Sequence, residues 1–464
     1  MIEERIRRLG AEAGIALPRV RVTGDDPVLP SVFRVGTAAA VAVGAAAATA
    51  AALSPGAAGG PMGAYEASAD AAASGAGATV DVREAAVAFR DERHFRIDGA
   101  AGELWAPLSD DYRTADGWVR LHCNFDHHRD AALAGLGLGV GAGKADVVRA
   151  CAERTAVGVE EAVTAAGGCA AAMRSRAEWL RHPHAAAVAA SPLVDLARIG
   201  DAVAVGHGGG RRPLEGVRVL DLTRVIAGPV ATRTLAAYGA RVLRVGAEHL
   251  PEIPGAVVGT AFGKRSCHLD LRTPAGRRAL RDLVAEADVF VQSYRPGALT
   301  ALGFGPGRLA AIRPGIVCVD ISAYGTRGPW SGRRGFDSLV QMACGIVHEG
   351  GAGTRPRPLP AQVLDHATGY LAAFGAMAAL LRRSAEGGSW WVRLSLARTA
   401  LWLDGLGRVN GENTAEPEVA DLLAEMDSPF GRLTYVRPPG SAAGVPPHWS
   451  SPPPRQGEHP PAWW

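Results

Sequence analysis

Short apolar runs alternate with helical patterns between residues 216 and 322, and this alternation restricts the possible folds more than any other feature. The apolar runs lie at 216–222, 241–245, 288–292 and 315–322, with helical patterns at 229–240 and 273–286. Strands separated by helices of this length form right-handed βαβ units with a parallel sheet buried on both faces. The sequence therefore predicts an α/β fold with a doubly wound, Rossmann-like parallel sheet, whose ligand lies at the carboxyl ends of the strands.

The first strand-to-helix turn lacks the pattern of a dinucleotide site. Residues 223–229 read TRVIAGP and contain one glycine, whereas the dinucleotide fingerprint has three spaced glycines. NAD is therefore not expected. The amides at the start of the following helix can still bind a phosphate or a carboxylate.

A short segment occurs twice in the chain. LPSVFRVG at 29–36 and LPAQVLDH at 359–366 each precede a run rich in small residues, and aligning Leu29 with Leu359 places Asp365 opposite Val35. A strand pattern follows each copy, at 80–82 and at 392–394, if the low-complexity stretch 54–77 holds the extra residues of the first copy. The repeat predicts one working copy with a carboxylate at a helix start, where free amides favour its ionised form, and one scaffold copy without it.

Charge and cysteine content exclude several classes of protein. The net charge is +3 and the arginines are spread along the 464 residues, which argues against a nucleic-acid partner. The six cysteines lie far apart without a CxxC pair, so we expect buried thiols, a reducing cytoplasmic location and no structural metal.

An uncharged stretch at 35–53 is long enough to cross a membrane. It is mostly alanine, which partitions weakly into lipid, and it begins too far into the chain for a signal peptide. The similar run at 366–382 favours a buried small-residue helix, and we expect no membrane association.

Four regions follow from these patterns. We predict a first region over 1–205 that contains a smaller α+β domain, with a strand in 116–125 and a helix opened by the capping box Ser175-Arg-Ala-Glu178. A flexible basic linker follows at 206–213. The doubly wound domain covers 214–410, and a return segment with a proline-rich tail, irregular from residue 438, covers 411–464.

Several motifs in the second half together resemble one family. The segments LEGVRVLDLTRVIAGPVATRTLAAYGARVLRV, GKRSCHLDLRTPAGR, SYRPGAL, GFD and the segment around Asp365 resemble, in the same order, the class III CoA-transferases of the CaiB/BaiF type. That group includes formyl-CoA transferase, carnitine CoA-transferase and, by fold, α-methylacyl-CoA racemase. The first half resembles the later part of the same family, so the chain resembles a rearranged partial duplication in which the two halves supply one unit.

The resemblance implies a chemistry for Asp365. In the family the matching aspartate attacks an acyl-CoA thioester, forms a mixed anhydride and then an aspartyl-CoA thioester, and an acceptor acid reverses the steps. The resemblance thus implies acyl-CoA and a carboxylic acid as substrates, with coenzyme A as a substrate and no permanently bound cofactor. From the residues alone, Asp365 can also be a plain helix cap.

Residues near Asp365 have two interpretations each. Asp337 is either the cap of the helix that follows it or a support for catalysis, and His366 either hydrogen-bonds the thioester or faces solvent. In the racemase branch a histidine–aspartate pair matches Phe336 and Asp337; phenylalanine cannot exchange a proton, which counts against a racemase.

The resemblance also implies a nucleotide site formed by Lys264, Arg265, Tyr294 and Arg295, together with Val225 and Ala227 of the first turn. Arginine suits phosphate through its two parallel N–H donors, and Tyr294 can stack on adenine. This chain has Gly246 where the family usually has an acidic residue and Ser293 where it often has asparagine. The alternative to coenzyme A contact is a solvated surface charge.

The segment 122–128 gathers three histidines, Cys123 and Asp126. Its spacing matches no standard zinc pattern, so polar caps at a strand-to-helix junction are the expected role and no metal is predicted.

Three functions remain open. A CoA-transferase is expected first; an acyl-CoA racemase or isomerase, or a catalytically weak CoA-binding paralogue, are the alternatives. The family's interlocked homodimers imply a homodimer here, with either two chains interlocked or one chain closing its own unit.

Overall fold

The computed structural model describes residues 1–54, 77–206 and 210–464. Most of the low-complexity stretch 54–77 and part of the predicted linker, residues 207–209, lie outside the described residues.

The first half combines helices with short strands. Its helices are α1 Ile2–Glu12, α2 Val35–Ala52, α3 Val82–Ala88, α4 Asp91–His94, α5 Asp126–Gly135, α6 Lys144–Ala152, α7 Ala156–Ala165, α8 Arg176–Arg181 and α9 Pro183–Ala189. Its strands are β1 Val20–Thr23, β2 Ala78–Asp81, β3 Arg96–Ile97, β4 Asp111–Arg113, β5 Trp118–Leu121, β6 Ala170–Ala172 and β7 Asp195–Gly200. Strands β4, β5 and β6 form an antiparallel sheet beside α5 and α7, which is the smaller α+β unit that the sequence predicted.

The second half is a regular alternation. Its helices are α10 Ala227–Ala237, α11 Pro254–Thr260, α12 Pro274–Ala285, α13 Ala298–Ala301, α14 Pro306–Ile312, α15 Asp337–Ala343, α16 Ile346–Gly350, α17 Val363–Glu386 and α18 Leu396–Gly405. Its strands are β8 Arg218–Leu222, β9 Arg241–Gly246, β10 Lys264–His268, β11 Val289–Gln292, β12 Val317–Ser322, β13 Ser389–Ser395, β14 Leu423–Ser428, β15 Gly431–Val436 and β16 Ser441–Ala442.

The main sheet has seven strands in the order β10-β9-β8-β11-β12-β13-β7. Strands β8 to β13 run parallel, and β7 from the first half closes one edge antiparallel. The α/β fold with a parallel, doubly wound sheet is therefore confirmed. Strand order reverses between β8 and β11, and this reversal opens a crevice at the carboxyl edge of the sheet.

Local sequence signals explain where several helices begin. The Thr273 hydroxyl accepts the N–H of Gly276 and Pro274 fills the first turn of α12, as the sequence predicted. Ser175 and Glu178 form the predicted capping box of α8.

The two small-residue helices pack along each other at the centre of the molecule. Every residue of α2 from Val35 to Ala51 is buried, and so is most of α17. These are the helices in the described chain that are long and apolar enough to cross a membrane, and both lie inside the protein core, as predicted for 35–53. Alanine and glycine allow the close approach of the two backbones, and the Cβ-free Gly369 lies directly against α10.

The starts of α2 and α17 share one geometry, which corrects the register of the repeat. The residue before each helix, Arg34 or Gln362, has nearly the same backbone angles. Asp26 accepts the N–H groups of Gly36 and Thr37, at 2.9 and 2.8 Å. The helix starts therefore pair Thr37 with Asp365, and the alignment of Val35 with Asp365 is wrong by two residues. The chain has two more residues between the Leu-Pro pair and the helix in the first copy.

The end of the chain returns to the first half. Strands β14 and β15 pair with β3, and β16 pairs with β2. Beyond the two residues of β16, residues 443–464 contain no helix or strand, as predicted for the proline-rich tail.

Candidate active site

Asp365 lies in the first turn of α17, but a second aspartate takes up the helix-start amides. The backbone N–H of Asp365 donates to Oδ2 of Asp337 at 2.8 Å, and Asp337 is buried at the start of α15. Gln341 donates to the other carboxylate oxygen of Asp337, while its own carbonyl accepts the N–H of Leu359 at 2.8 Å. Asp337 thus caps α17, whereas the cap interpretation from the sequence assigned it to the helix that follows it, α15.

The electrostatic environment of Asp365 is the opposite of the one expected from a helix start. Burial, followed by the charges of Asp337 and Glu92, raises the pKa of Asp365 well above its usual range. Burial also raises the pKa of Asp337 to about 6, although its hydrogen bonds with the amide of Asp365 and with Gln341 oppose this. The expectation that amides favour an ionised Asp365 is wrong, because Asp337 occupies them and the Asp365 side chain is only 8% exposed.

His366 neither faces solvent nor lines the cavities around Asp365. Its ring is 1% exposed, stacks on Phe89 and places Nε2 3.1 Å from Oε2 of Glu92 and 3.8 Å from Asp91. Burial alone would lower the pKa of His366, but the hydrogen bond and charge of Glu92 and the charge of Asp91 outweigh it, so the pKa is raised. Both acids lie in α4 of the first half. Glu92 is 274 residues away from His366 in the sequence.

Asp91, Glu92 and His366 bring potential metal-ligand atoms within 4.8 Å of one another. Arg233 of α10 forms an ion pair with Asp91 at 2.5 Å, so cationic groups already balance the two carboxylates. We interpret the cluster as a charge network that joins α4 of the first half to α10 and α17 of the second.

An inner cavity extends from Asp365 into the space between the two halves. Asp91, Glu92 and His122 line it from the first half, and Asp337, Ser338 and Asp365 from the second. Most of its remaining wall is apolar, including the side chains of Phe95, Leu104, Trp105, Ile253, Phe262 and Trp449.

A sheet-edge groove opens on the other side of Asp365. It lies over the turns that follow β8 and β11 and the end of β12, which is the crevice predicted for the ligand. Its lining includes the arginines Arg224, Arg295, Arg333 and Arg334. Helix α10 begins there at Ala227 without a side-chain cap, and Ala227 and Gly228 of its first turn line the groove.

The cavity and the groove meet at Asp365. Val225, Ile226, Phe336 and Asp365 line both. Val225 has a φ of 70°, a strained conformation for a β-branched residue, and the strain lies where the two spaces join.

The groove holds four of the six residues predicted for the nucleotide: Val225, Ala227, Tyr294 and Arg295. Arg295 is exposed and has no ion-pair partner among the described residues, whereas the pKa of Tyr294 is raised by its burial.

Lys264 and Arg265 lie outside the groove. Lys264 is 3% exposed, and its ammonium donates to Asp221 at 2.9 Å, to Thr232 and to the carbonyl of Pro229. Burial lowers the pKa of Lys264 to about 8, against the attraction of Asp221. Arg265 lies over the ring of Trp464, 4.3 Å from its centre. The structure therefore separates this predicted pair from the other four residues. Lys264 forms a buried structural ion pair with Asp221.

The histidine segment 122–128 surrounds Phe336. The His122 ring stacks on Phe336 with centroids 3.6 Å apart, and the His128 ring meets its edge. Asp126 begins α5 and its carboxylate pairs with Arg129, so this segment holds both a helix start and an aromatic cluster.

The sequence did not reveal Asp91, Glu92 and Arg233 as neighbours of the site. The acidic pair within RDER at 90–93 was visible, but its position depends on contacts between halves that are far apart in sequence. All six cysteines are free and buried, as predicted.

Part of the chain is similar to proteins of a known family. Residues 214–418 match the sequence model of CoA-transferase family III. Over these residues the chain is similar to the class III CoA-transferases. A succinyl-CoA:glutarate CoA-transferase of Mus musculus is 38% identical over 196 residues, which cover 38% of this chain and 43% of that protein. A probable fatty acyl-CoA transferase of Mycobacterium tuberculosis is 34% identical over 210 residues, which cover 41% of this chain and 52% of that protein.

A solved structure is similar to this chain over a comparable share of its length. A CAIB/BAIF family protein from Brucella suis is 25% identical, with a TM-score of 0.38 and coverage of 48% of this chain and 65% of that one. The chain spans about half the length of the curated class III relatives named above.

Proposed function

We propose that this protein is a CoA-transferase that moves coenzyme A from an acyl-CoA to a free carboxylic acid, with Asp365 as the covalent nucleophile. The family of residues 214–418 supports the reaction class. One observation carries the assignment of Asp365: its carboxyl group lies where the arginine-lined groove and the largely apolar cavity meet.

This placement matches the shape and charge of an acyl-CoA. The nucleotide and its phosphates are anionic, and the groove offers Arg295 and the start of α10, which has no side-chain cap. The acyl chain is largely apolar, like most of the inner cavity. A thioester that occupies both spaces has its carbonyl carbon at their junction, beside Asp365.

The proposed reaction proceeds through two covalent forms of Asp365. A carboxylate oxygen attacks the thioester carbonyl, the carbon–sulfur bond breaks, and the coenzyme A thiolate leaves a mixed anhydride. The thiolate then attacks the Asp365 carbonyl, releases the donor acid and leaves an aspartyl-CoA thioester. The acceptor carboxylate repeats these steps in reverse, so no proton or electron is gained or lost overall.

Burial of Asp365 favours this chemistry once the group is ionised. A desolvated carboxylate with a raised pKa is more basic, and therefore more nucleophilic, than one in water. The raised pKa also makes the reaction depend on pH, because only the ionised form attacks.

An exchange assay tests this proposal. The purified protein is incubated with acyl-CoA and a panel of isotopically labelled acids, and label in the thioester is measured. We expect label in the thioester with wild type and none with Asp365→Asn. Exchange that persists in Asp365→Asn would disprove the role of Asp365. Loss of an α-deuterium to solvent without acid exchange would support a racemase instead.

We further propose that the two halves of one chain complete a single site. The first half supplies Asp91, Glu92 and His122 to the cavity that contains Asp365. A cytoplasmic location and a homodimer of such chains belong to the same proposal; light scattering on the purified protein tests the dimer.

A further inference from the structure

Two polar side chains in the inner cavity have no hydrogen-bond partner in the part of the chain that the structure describes. Both ring nitrogens of His122 and the hydroxyl oxygen of Ser338 are buried and unpaired among the described residues. His122 is 3% exposed and Ser338 is 4% exposed, and both line the cavity that ends at Asp365. An unpaired buried polar group destabilises the folded protein by about 1–3 kcal/mol, so such groups need a reason to be retained.

The two groups line the same cavity, and each is close to Phe336, His122 in space and Ser338 along the chain. The His122 ring stacks on Phe336, and Ser338 follows Asp337 in α15. Asn124, another polar residue that lines the cavity, has hydrogen-bond partners: its side chain accepts from Ala106 and Ser109 and donates to the carbonyl of Leu104.

The charge of the surroundings decides which ligand group fits. Burial, with His128 and Arg120 nearby, lowers the pKa of His122 well below its usual range, so the ring is neutral and offers one donor and one acceptor. A carboxylate here would be repelled by Asp337, Asp365 and Glu92, which line the same cavity. Two arginines line the cavity: Arg233 is paired with Asp91, and Arg93 is exposed to solvent.

We propose that His122 and Ser338 form a recognition site for a hydroxyl group on the acyl chain of the CoA thioester. A hydroxyl both donates and accepts, so it satisfies a neutral imidazole and a serine together without adding charge. This inference rests on the proposed CoA-transferase function, and it adds the class of acyl group: a hydroxyacyl chain in preference to an unsubstituted or a dicarboxylic one.

The test compares matched donors. Values of kcat/KM are measured for butyryl-CoA, for 2-, 3- and 4-hydroxybutyryl-CoA and for succinyl-CoA with one acceptor acid. We expect wild type to prefer at least one hydroxybutyryl-CoA over butyryl-CoA by about tenfold, as for one or two hydrogen bonds to unpaired buried groups. His122→Phe, which keeps the ring stack, and Ser338→Ala should each bring this ratio towards one.

Controls separate recognition from general damage. His448 is exposed and lines neither the cavity nor the groove, so His448→Phe should keep the wild-type ratio. His122→Asn keeps a donor and an acceptor, so it should retain more of the preference than His122→Phe. It takes the place of His122→Phe in the test if the phenylalanine variant folds poorly.

Two results would overturn the proposal: a ratio near one for every hydroxybutyryl-CoA with wild type, or a preference unchanged in both His122→Phe and Ser338→Ala. A preference for succinyl-CoA over the hydroxyacyl donors would also overturn it. If no transfer occurs at all, the transferase function fails separately, and calorimetric Kd values of the same donors give the ratio instead. Absence of binding by all donors rejects both proposals.

Discussion

Thr37 and Asp365 occupy equivalent positions in two helices that pack along each other. The backbone N–H of each donates to an aspartate carboxylate at 2.8 Å, that of Asp26 for Thr37 and that of Asp337 for Asp365. The chain thus builds the same helix start twice, and only the second carries a carboxylate on the helix. The capping acid is common to both copies, so the shared geometry explains why Asp337 lies at this helix start.

A carboxylate placed at the first helix start should not create a second site. Thr37 is 3% exposed and lines neither the cavity nor the groove. Thr37→Asp adds an unpaired buried acid beside Asp26 and should lower the free energy of unfolding by on the order of 3 kcal/mol at pH 8. Urea denaturation measures this, with Thr37→Asn as the neutral control. An acyl group trapped on residue 37 would refute the scaffold role of this copy.

Removing the charge of Asp337 should shift the reactivity of Asp365 to lower pH. After burial, the Asp337 charge is the next largest cause that raises the pKa of Asp365. Asp337→Asn keeps an oxygen to accept the Asp365 N–H but removes the charge, so the pKa of Asp365 falls and its ionised form persists at lower pH. The rate of covalent labelling by acyl-CoA, followed from pH 5 to 9, checks this.

Asp337→Leu serves as the matched control, because it also removes the acceptor. It leaves the amide of Asp365 unpaired and should lower the free energy of unfolding by about 1–3 kcal/mol. An unchanged or higher midpoint of the labelling profile in Asp337→Asn would contradict the electrostatic role of Asp337.

Asp365→Asn should stabilise the protein at neutral and basic pH. The pKa of Asp365 is raised on folding, so its contribution to stability is fully present below the ordinary carboxyl pKa and is lost as pH rises through the folded pKa. The free energy of unfolding of Asp365→Asn should therefore exceed that of wild type by an amount that grows with pH. The growth is at most about 1.4 kcal/mol per pH unit within that window. Urea denaturation at pH 5, 7 and 8 measures it.

The fully exposed Asp201 provides the comparison for this experiment. Asp201→Asn should show no comparable growth of stability with pH. A stability difference between wild type and Asp365→Asn that shrinks as pH rises would contradict a raised pKa at Asp365.

Loss of Lys264 should reduce the stability of the fold, whereas loss of Arg295 should weaken coenzyme A binding. Lys264→Met leaves Asp221 buried and unpaired, which should lower the free energy of unfolding by about 3–5 kcal/mol. Arg295→Gln should instead weaken coenzyme A binding several-fold and reduce the salt dependence of its Kd, because a phosphate contact is lost. Arg308, exposed and outside the groove, gives the control Arg308→Gln. Equal Kd values for Arg295→Gln and Arg308→Gln would remove Arg295 from the site.

The sequence predicted the parts of the fold that short-range patterns determine. Strands β8, β9, β11 and β12 coincide with apolar runs of strand length. The side chain of Thr273 caps α12 and so marks where this helix begins. The register of the repeat was wrong because two additional residues before α2 leave no periodic signal.

The chemistry of the site was less predictable, because it depends on distant partners. The sequence predicted Asp365 as the nucleophile, but the raised pKa of this residue depends on Asp337, 28 residues earlier, and on Glu92 from the other half. The family resemblance implied that Lys264 contacts the nucleotide, and no residue near it in sequence indicates its ion pair with Asp221. Burial and pairing of this kind arise only once the sheet and both halves are assembled.

The most direct test of Asp365 as the nucleophile is chemical trapping of the acylated protein. Acyl-CoA and hydroxylamine are added together, and the peptide that contains Asp365 is analysed by mass spectrometry. We predict an aspartyl hydroxamate at Asp365 that requires acyl-CoA and is absent from Asp365→Asn. A hydroxamate on another residue, or acid exchange that continues in Asp365→Asn, would contradict this mechanism.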